Sequence, residues 1–292
     1  MTGERERTRD VCAILVSYHP DPQLPQRVAA VAAQTGGVVI VDNGSSAAEL
    51  AMLRQIVASD AAIELLENGA NLGVARALNL GAARAEARGF AWLLLLDQDS
   101  VVAPALVRGL FDARAAHPQP DRLAIIGAGY LETAWRSAPP WEEVETVITS
   151  GSMLAVANYR AIGAFRDELF IDYVDVDYCR RARARGFTVA RTRRPLMAHA
   201  IGAPTRHRLL WVEKWTRNHS PDRQYYIARN DTVMLREADR YPHGAWALKS
   251  LGRRLRMAKR VLLYEDAKAA KLAAMFQGWW HGLRNRLGPR PP

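Results

Sequence analysis

AWLLLLDQDS, residues 91–100, decides the fold. Its run of leucines is too short for a helix of ordinary length and reads as a buried strand that ends in acids. Upstream, VCAILVSY (11–18) is another buried strand, running into the turn His19-Pro20-Asp21-Pro22. A helix is predicted over 25–34 and stopped by Gly36-Gly37, and a second strand over 38–41 opens into Asp42-Asn43-Gly44-Ser45. A helix over 47–58 leads to a strand over 63–66. NGANLGVARALNLGAARAEARG (68–89) then starts with turn residues and continues with apolar positions every three or four residues. Strands alternating with helices in this way predict βαβ units on a parallel sheet.

In an open parallel sheet the ligand sits outside the carboxyl ends of the strands. Three polar clusters fall there: His19-Pro20-Asp21, Asp42-Asn43-Gly44-Ser45 and Asp97-Gln98-Asp99-Ser100. There is no Gly-x-Gly-x-x-Gly between the first strand and first helix and no Gly-Lys-Ser/Thr loop. That argues against dinucleotide oxidoreductases and P-loop enzymes. Adjacent carboxylates such as Asp97 and Asp99 suit Mg²⁺ or Mn²⁺, which take carboxylate oxygens together with those of a diphosphate. The bland alternative is a solvated turn.

Farther along, strands are predicted over 123–130, over 147–157 with an interruption at Ser150-Gly151, and over 187–190. Residues 132–145 read as an acidic, aromatic loop, and 175–185 as a helix closed by Gly186. From 244 to about 286 the pattern is helical, with Trp246, Leu251, Leu255, Leu262 and Trp279-Trp280 set among basic residues. The 292-residue chain is 49% hydrophobic and 24% charged, a globular composition, and no stretch approaches the ~20 apolar residues of a membrane span. No signal-peptide pattern opens it, so a cytoplasmic location is expected. Cys12 and Cys179 read as small buried hydrophobes. The net charge is +10, and residues 240–292 alone carry twelve Lys or Arg against Glu265 and Asp266. A near-neutral body with a basic appendage fits anionic lipid or nucleic acid.

VDNGS, NLGVARALNLG, LLLLDQDS, SGSMLAV and GAFRDELFIDYVDVDYCRRARARGF follow one another in an order that resembles the inverting family 2 glycosyltransferases of the GT-A fold, over roughly residues 10–235. LDQDS, FIDYVDVDYC and HSPDRQYYIARN (219–230) look most like bacterial rhamnosyltransferases that use dTDP-L-rhamnose. The resemblance implies an α/β, Rossmann-like, mostly parallel sheet flanked by helices. It divides the chain into a flexible tail (1–9), a catalytic domain (10–235) and a basic amphipathic helical extension (236–292).

By the same resemblance Asp42, with Asn43, meets the nucleobase, the other reading of Asp42 being an Asx-turn acid. Asn71 and Gly73 form the turn that admits the nucleoside, and Arg76 and Asn79 share the helix face over it. Asp97 is the ribose-side acid, while Asp99 and His199 hold the metal. Asp175 matches the general base, although Val174 stands where the family usually has Glu. Asp172 and Tyr173 are weaker contacts to sugar or acceptor, and Asp172, Asp175 and Asp177 could instead be acids favoured by a helix N-terminus. The expected reaction moves L-rhamnose onto a polysaccharide or lipid-linked glycan precursor at the inner face of the plasma membrane, with residues 244–292 on anionic lipid. A UDP-sugar donor is the alternative. Nucleic acid is not an expected partner, because three acidic strand ends would repel its phosphates.

Overall fold

The computed structural model describes residues 8–130, 139–198, 205–209, 212–216, 218–237 and 244–291. They fall into two compact units, Met1–Asp167 with Val174–His199, and Glu168–Tyr173 with Ala200–Pro292.

The first unit is built on a sheet in the order β3-β2-β1-β4-β8-β6-β9-β5, with β7 paired to β9. Strands β1 (Val11–Ser17), β2 (Gly37–Asp42), β3 (Ile63–Glu67) and β4 (Trp92–Asp97) are parallel to one another, as the alternating pattern predicts. All seven residues of β1 are buried, and Leu93 to Leu96 in β4 are at most 2% exposed. At about 1.5–3 kcal/mol for each fully buried aliphatic side chain, these strands form the apolar centre of the unit. Helices α1 (Leu24–Ala32), α2 (Ala47–Ser59) and α3 (Val74–Ala87) make the crossovers. Ser46 caps α2 in a capping box with Glu49.

Beyond β4 the order departs from the simple pattern. Two residues form β5 (Val101–Val102), followed by α4 (Leu106–Ala115), β6 (Leu123–Tyr130) and β7 (Trp141–Glu143). Strand β8 covers only Ser152–Ala155 and runs antiparallel to β4, and the chain then turns into α5 (Val156–Ile162) rather than extending to 157. Helix α6 (Val174–Ala184) precedes β9 (Thr188–Ala198), which continues eight residues past its predicted end at 190. Part of the predicted 132–145 loop is β7; its residues 132–138 lie outside the described ones.

The second unit holds the hairpin β10 (Thr205–Leu209) and β11 (Val212–Thr216), and helices α7 (Pro221–Arg236), α8 (Gly244–Tyr264) and α9 (Lys268–Leu283). The single helical stretch predicted from 244 is therefore two helices, broken at Ala267, whose φ is 48°. The division between units also falls elsewhere than 235/236. Helix α7 packs on α9, and Tyr225, Tyr226 and Ala228 share apolar clusters with Ala274, Met275 and Val261.

Gly278 and Gly282 let α9 approach α7. A Cβ at Gly278 would lie 2.3 Å from the Tyr225 carbonyl oxygen, and one at Gly282 2.7 Å from that of Arg229. Alanine normally favours a helix over glycine, but contact with fixed backbone outweighs that preference. Gly278→Ala is expected to lower unfolding stability by about 1–3 kcal/mol. Gly252→Ala, where a Cβ meets only Arg256 Nη1 at 3.9 Å, is expected to raise it by up to ~1 kcal/mol. Thermal or denaturant unfolding checks both, and equal shifts in the two variants would contradict the close-approach argument.

Candidate active site

The carboxyl ends of β1, β2, β3 and β4 are fastened to one another by polar side chains. Asp42, 1% exposed, accepts the N–H groups of Gly44 and Ser45 at 2.9 Å and the Ser45 hydroxyl. Ser45 Oγ in turn accepts the His19 N–H (3.0 Å), which ties β2 to β1. The Asn43 amide donates to the Gly73 carbonyl (3.2 Å) and accepts from Asn68 (2.8 Å), so it joins the ends of β2 and β3 to the start of α3. Asn71 accepts the Gly73 N–H at 3.0 Å. Gly73 has φ 85° and Gly44 φ 89°, and a Cβ on Gly44 would fall 2.9 Å from Ala70, so side chains are excluded at this floor. Asp42, Asn43, Asn71 and Gly73 are thus brought together, with Asp42 in the Asx-turn role.

The acid-tipped turn after β4 is held by its middle residue. Gln98 Oε1 accepts the Tyr18 N–H (2.8 Å) and its Nε2 donates to the Tyr18 carbonyl (2.9 Å). Arg27, from α1, donates to the Gln98 carbonyl at 3.0 Å. On the other side the Asp97 N–H donates to Ser150 Oγ (3.2 Å), and Ser150 also bonds the Ser100 hydroxyl. Gln98, Arg27 and Ser150 were not singled out from the sequence, since each partner lies 50 or more residues away.

Asp175 stands in the first turn of α6 and accepts the Val176 N–H at 2.8 Å. Its neighbour Asp177 is buried between Arg166 (3.3 Å) and Arg181 (2.7 Å), and Arg181 also donates to the carbonyls of Ile162, Gly163 and Ala164. Asp177 is therefore structural. Burial pushes the Tyr130 phenol up; Arg191 opposes this, while Asp175 and Asp97 add to it. Tyr130, at the end of β6, is thus within electrostatic reach of both acids, and nothing in its sequence context marked it.

Two expected nucleoside contacts lie elsewhere. Asn79 accepts from the Tyr159 hydroxyl (2.7 Å) and the Phe165 N–H (3.0 Å), and donates to the Phe165 carbonyl (2.8 Å) and to Asp167. Those bonds use all four positions of its amide, which makes it a bracket for residues 165–167 rather than a nucleoside contact. Arg76, half exposed, pairs with Asp167 at 2.9 Å. Asp172 and Tyr173 belong to the second unit. There Arg223 donates to both oxygens of Asp172 (3.1 and 3.2 Å), and the Tyr173 hydroxyl donates to Asp231 (2.9 Å). Burial pushes the Tyr173 phenol far up, and Asp231 adds to it.

For a metal, the donor set at the end of β4 is two carboxylates. Among the described residues no three His, Cys, Asp or Glu side chains converge to hold an ion, and His199 lies outside them. Mg²⁺ is commonly bound by one or two carboxylates, with substrate phosphates and waters completing the shell, and Asp97 and Asp99 fit that arrangement. A cavity of about 570 Å³ between α1, α2 and β3, lined by Val28, Met52, Ile56 and Ile63, includes none of these residues.

Residues 12–131 match the family model for glycosyl transferase family 2. The chain is 26% identical over 253 residues to the dTDP-rhamnosyl transferase RfbF of Shigella flexneri, covering 78% of this chain and 80% of that protein. Among solved structures, the mannosyltransferase PcManGT from Pyrobaculum calidifontis, in complex with GDP-Man and Mn²⁺, superposes with a TM-score of 0.59 at 14% identity. That match covers 95% of this chain and 88% of the other. S. aureus TarS superposes with a TM-score of 0.53 at 15% identity over 84% of this chain, which spans only 42% of TarS. Topology and sequence agree: residues 12–131 match a family 2 glycosyl transferase model, the fold is that of GT-A glycosyltransferases, and the chain is a glycosyltransferase.

Proposed function

We propose that the enzyme transfers L-rhamnose from dTDP-L-rhamnose, with inversion at the anomeric carbon, onto a polysaccharide or lipid-linked glycan precursor. The observation that carries this reading is the convergence of Asp42, Asn43, Asn71 and Gly73 at the carboxyl ends of the parallel strands, where the Asp97-Gln98-Asp99 turn also leaves the sheet. The Shigella relative's dTDP-rhamnosyl activity supports the choice of donor. In the proposed reaction Asp175 takes the acceptor hydroxyl proton as that oxygen bonds to the anomeric carbon. The bond to the diphosphate breaks on the opposite face, and the diphosphate leaves with its electron pair. Asp42, Asn43, Asn71 and Gly73 form the floor for the nucleoside, and Asp97 receives the ribose. Bound Mg²⁺ or Mn²⁺, held by Asp99 and, by resemblance, His199, would neutralise charge developing on the diphosphate.

Nucleotide-sugars that bind the native state protect it from unfolding in proportion to their affinity. dTDP-rhamnose with Mn²⁺ or Mg²⁺ is expected to protect more than UDP- or GDP-sugars, and stronger protection by a UDP-sugar would change the donor. Asp99→Ala is expected to lose the part of that protection that depends on metal. Asp175→Asn is expected to keep it while turnover falls by roughly 10² to 10⁴. Unchanged turnover in Asp175→Asn would reject it as the base.

We further propose that α8 rests on anionic membrane. No helix among the described residues is long and apolar enough to cross one. On α8, however, Leu251, Leu255 and Leu262 are 56%, 65% and 52% exposed, beside exposed Arg256, Lys259 and Arg260. Apolar side chains flanked by cations suit the headgroup boundary, where each basic residue contributes about 1 kcal/mol. Replacing the three leucines by Gln is expected to weaken sedimentation with anionic vesicles by more than about ten-fold, since each buries apolar surface there. Turnover on a soluble acceptor should persist. Vesicle binding equal to that of the unaltered protein would reject this surface.

A further inference from the structure

We propose that Arg229 and Asn230, adjacent on α7, are positioning residues for Asp175; this rests on the reading of Asp175 as the base. The chain leaves the first unit after Asp167, runs with the second as Glu168–Tyr173, and returns at Val174, the first residue of α6. Asp175 follows at once. Three residues of that excursion have left-handed backbones although none is glycine: Phe170 (φ 67°), Asp172 (62°) and Tyr173 (64°). L side chains disfavour this region, and such conformations persist only where the surroundings over-determine them.

Here most of the polar hold comes from one helix, α7, while the Gly288 N–H donates to the Glu168 carbonyl at 2.8 Å and Ala274 of α9 joins the apolar cluster under Phe170 and Ile171. The Asn230 amide nitrogen lies 2.9 Å from each of the carbonyl oxygens of Leu169, Ile171 and Asp172, so its two N–H groups share three acceptors. Asn230 Oδ1 accepts from Arg229 Nε (2.9 Å), which fixes the direction of the amide. Arg229 also donates to the carbonyls of Glu168 (3.1 Å) and Leu169 (2.8 Å). Both side chains are wholly buried. Phe170 stacks on Tyr226, with ring centroids 4.8 Å apart and 10° between planes. The partners Arg223, Tyr226, Arg229 and Asn230 all come from HSPDRQYYIARN, a motif the proposed chemistry leaves without a role.

A connection of this length needs no strained backbone merely to join two elements. Tyr173 is bonded directly to Val174, the first residue of α6, so in the proposal the backbone that these bonds hold leads straight to the residue before Asp175. A base displaced by about 1 Å can lose on the order of 100-fold in rate.

The test uses the full chain with Asn230→Ala beside Asp175→Asn. In Asn230→Ala, kcat is expected to fall roughly 10- to 100-fold, with the acceptor KM and protection by dTDP plus Mn²⁺ within about two-fold of the unaltered enzyme. Amide hydrogen exchange should rise at Phe170–Tyr173 while α7 and α9 stay protected. If α7 and α9 also lose protection, Asn230→Ser, which keeps one donor, is read by the same criteria. In either variant, a kcat within about two-fold of the unaltered enzyme despite faster exchange in the turn would overturn the proposal, since the clamp would then not govern the rate. Full turnover in Asp175→Asn would instead remove the base assignment on which the proposal rests. Loss in Asp175→Asn with full kcat in the Asn230 variant overturns the positioning role alone.

Discussion

The side-chain amide of Gln98 continues the ladder between β1 and β4 past the point where the strands end. It offers Tyr18 the same donor and acceptor that a further residue of parallel strand would, at 2.9 and 2.8 Å. The consequence falls on its neighbours. Asp97 and Asp99 repel each other, and on a loose turn they would separate into solvent. Fastening the residue between them to β1, with the Arg27 guanidinium on its carbonyl, fixes the backbone from which both carboxylates leave at the mouth of the sheet. In the proposed reaction such preorganisation would spare the cost of rearranging charged groups around a diphosphate and its cation.

The half of the fold that was legible is the half whose signals are local. β1, β2 and β4 are continuous apolar runs bounded by turn residues, and α2 carries its own cap. Strand β9 shows why the rest was not. Three of its residues are arginines whose acids lie far away: Arg191 and Arg193 face Glu142, and Arg194 faces Asp112. A stretch with so much charge reads as exposed chain until those partners are known, so its length was underestimated. The break at Ala267 is hidden for a related reason, since neither glycine nor proline marks it.

At the site the same distinction holds. Asp42, Asn43, Asn71 and Gly73 sit in turns that announce themselves, and they do converge. Asn79 is as suitable for a solvated helix face as for a nucleoside contact, and its role is decided by a loop 86 residues downstream. Asp172 and Asp175 are both acids near a helix start, and the family resemblance alone ranked Asp175 ahead as the base. The structure adds the bidentate pairing of Asp172 with Arg223.

The boundary between units is where charge misled most. Composition shifts near residue 236, yet α7 buries Gln224, Arg229, Asn230, Asp231 and Thr232, a polar face that sequence alone assigns to solvent. Burying the Asp231 carboxylate would be costly without partners, and it has four: the hydroxyls of Tyr173 and Ser250 and the guanidinium groups of Arg253 and Arg254. Two of the basic residues counted toward a cationic appendage therefore neutralise an acid that precedes it. Lys271, buried against Glu265, and Arg290, paired with Asp222, are likewise spent inside the unit. The charge on offer to a lipid surface is thus set by residues such as Arg256, Lys259 and Arg260, whose side chains are exposed, and not by the net charge of residues 240–292. The C-terminal helices are at once a wall of the second unit and its outward face, and this is why charge counting along the chain could not separate them from α7.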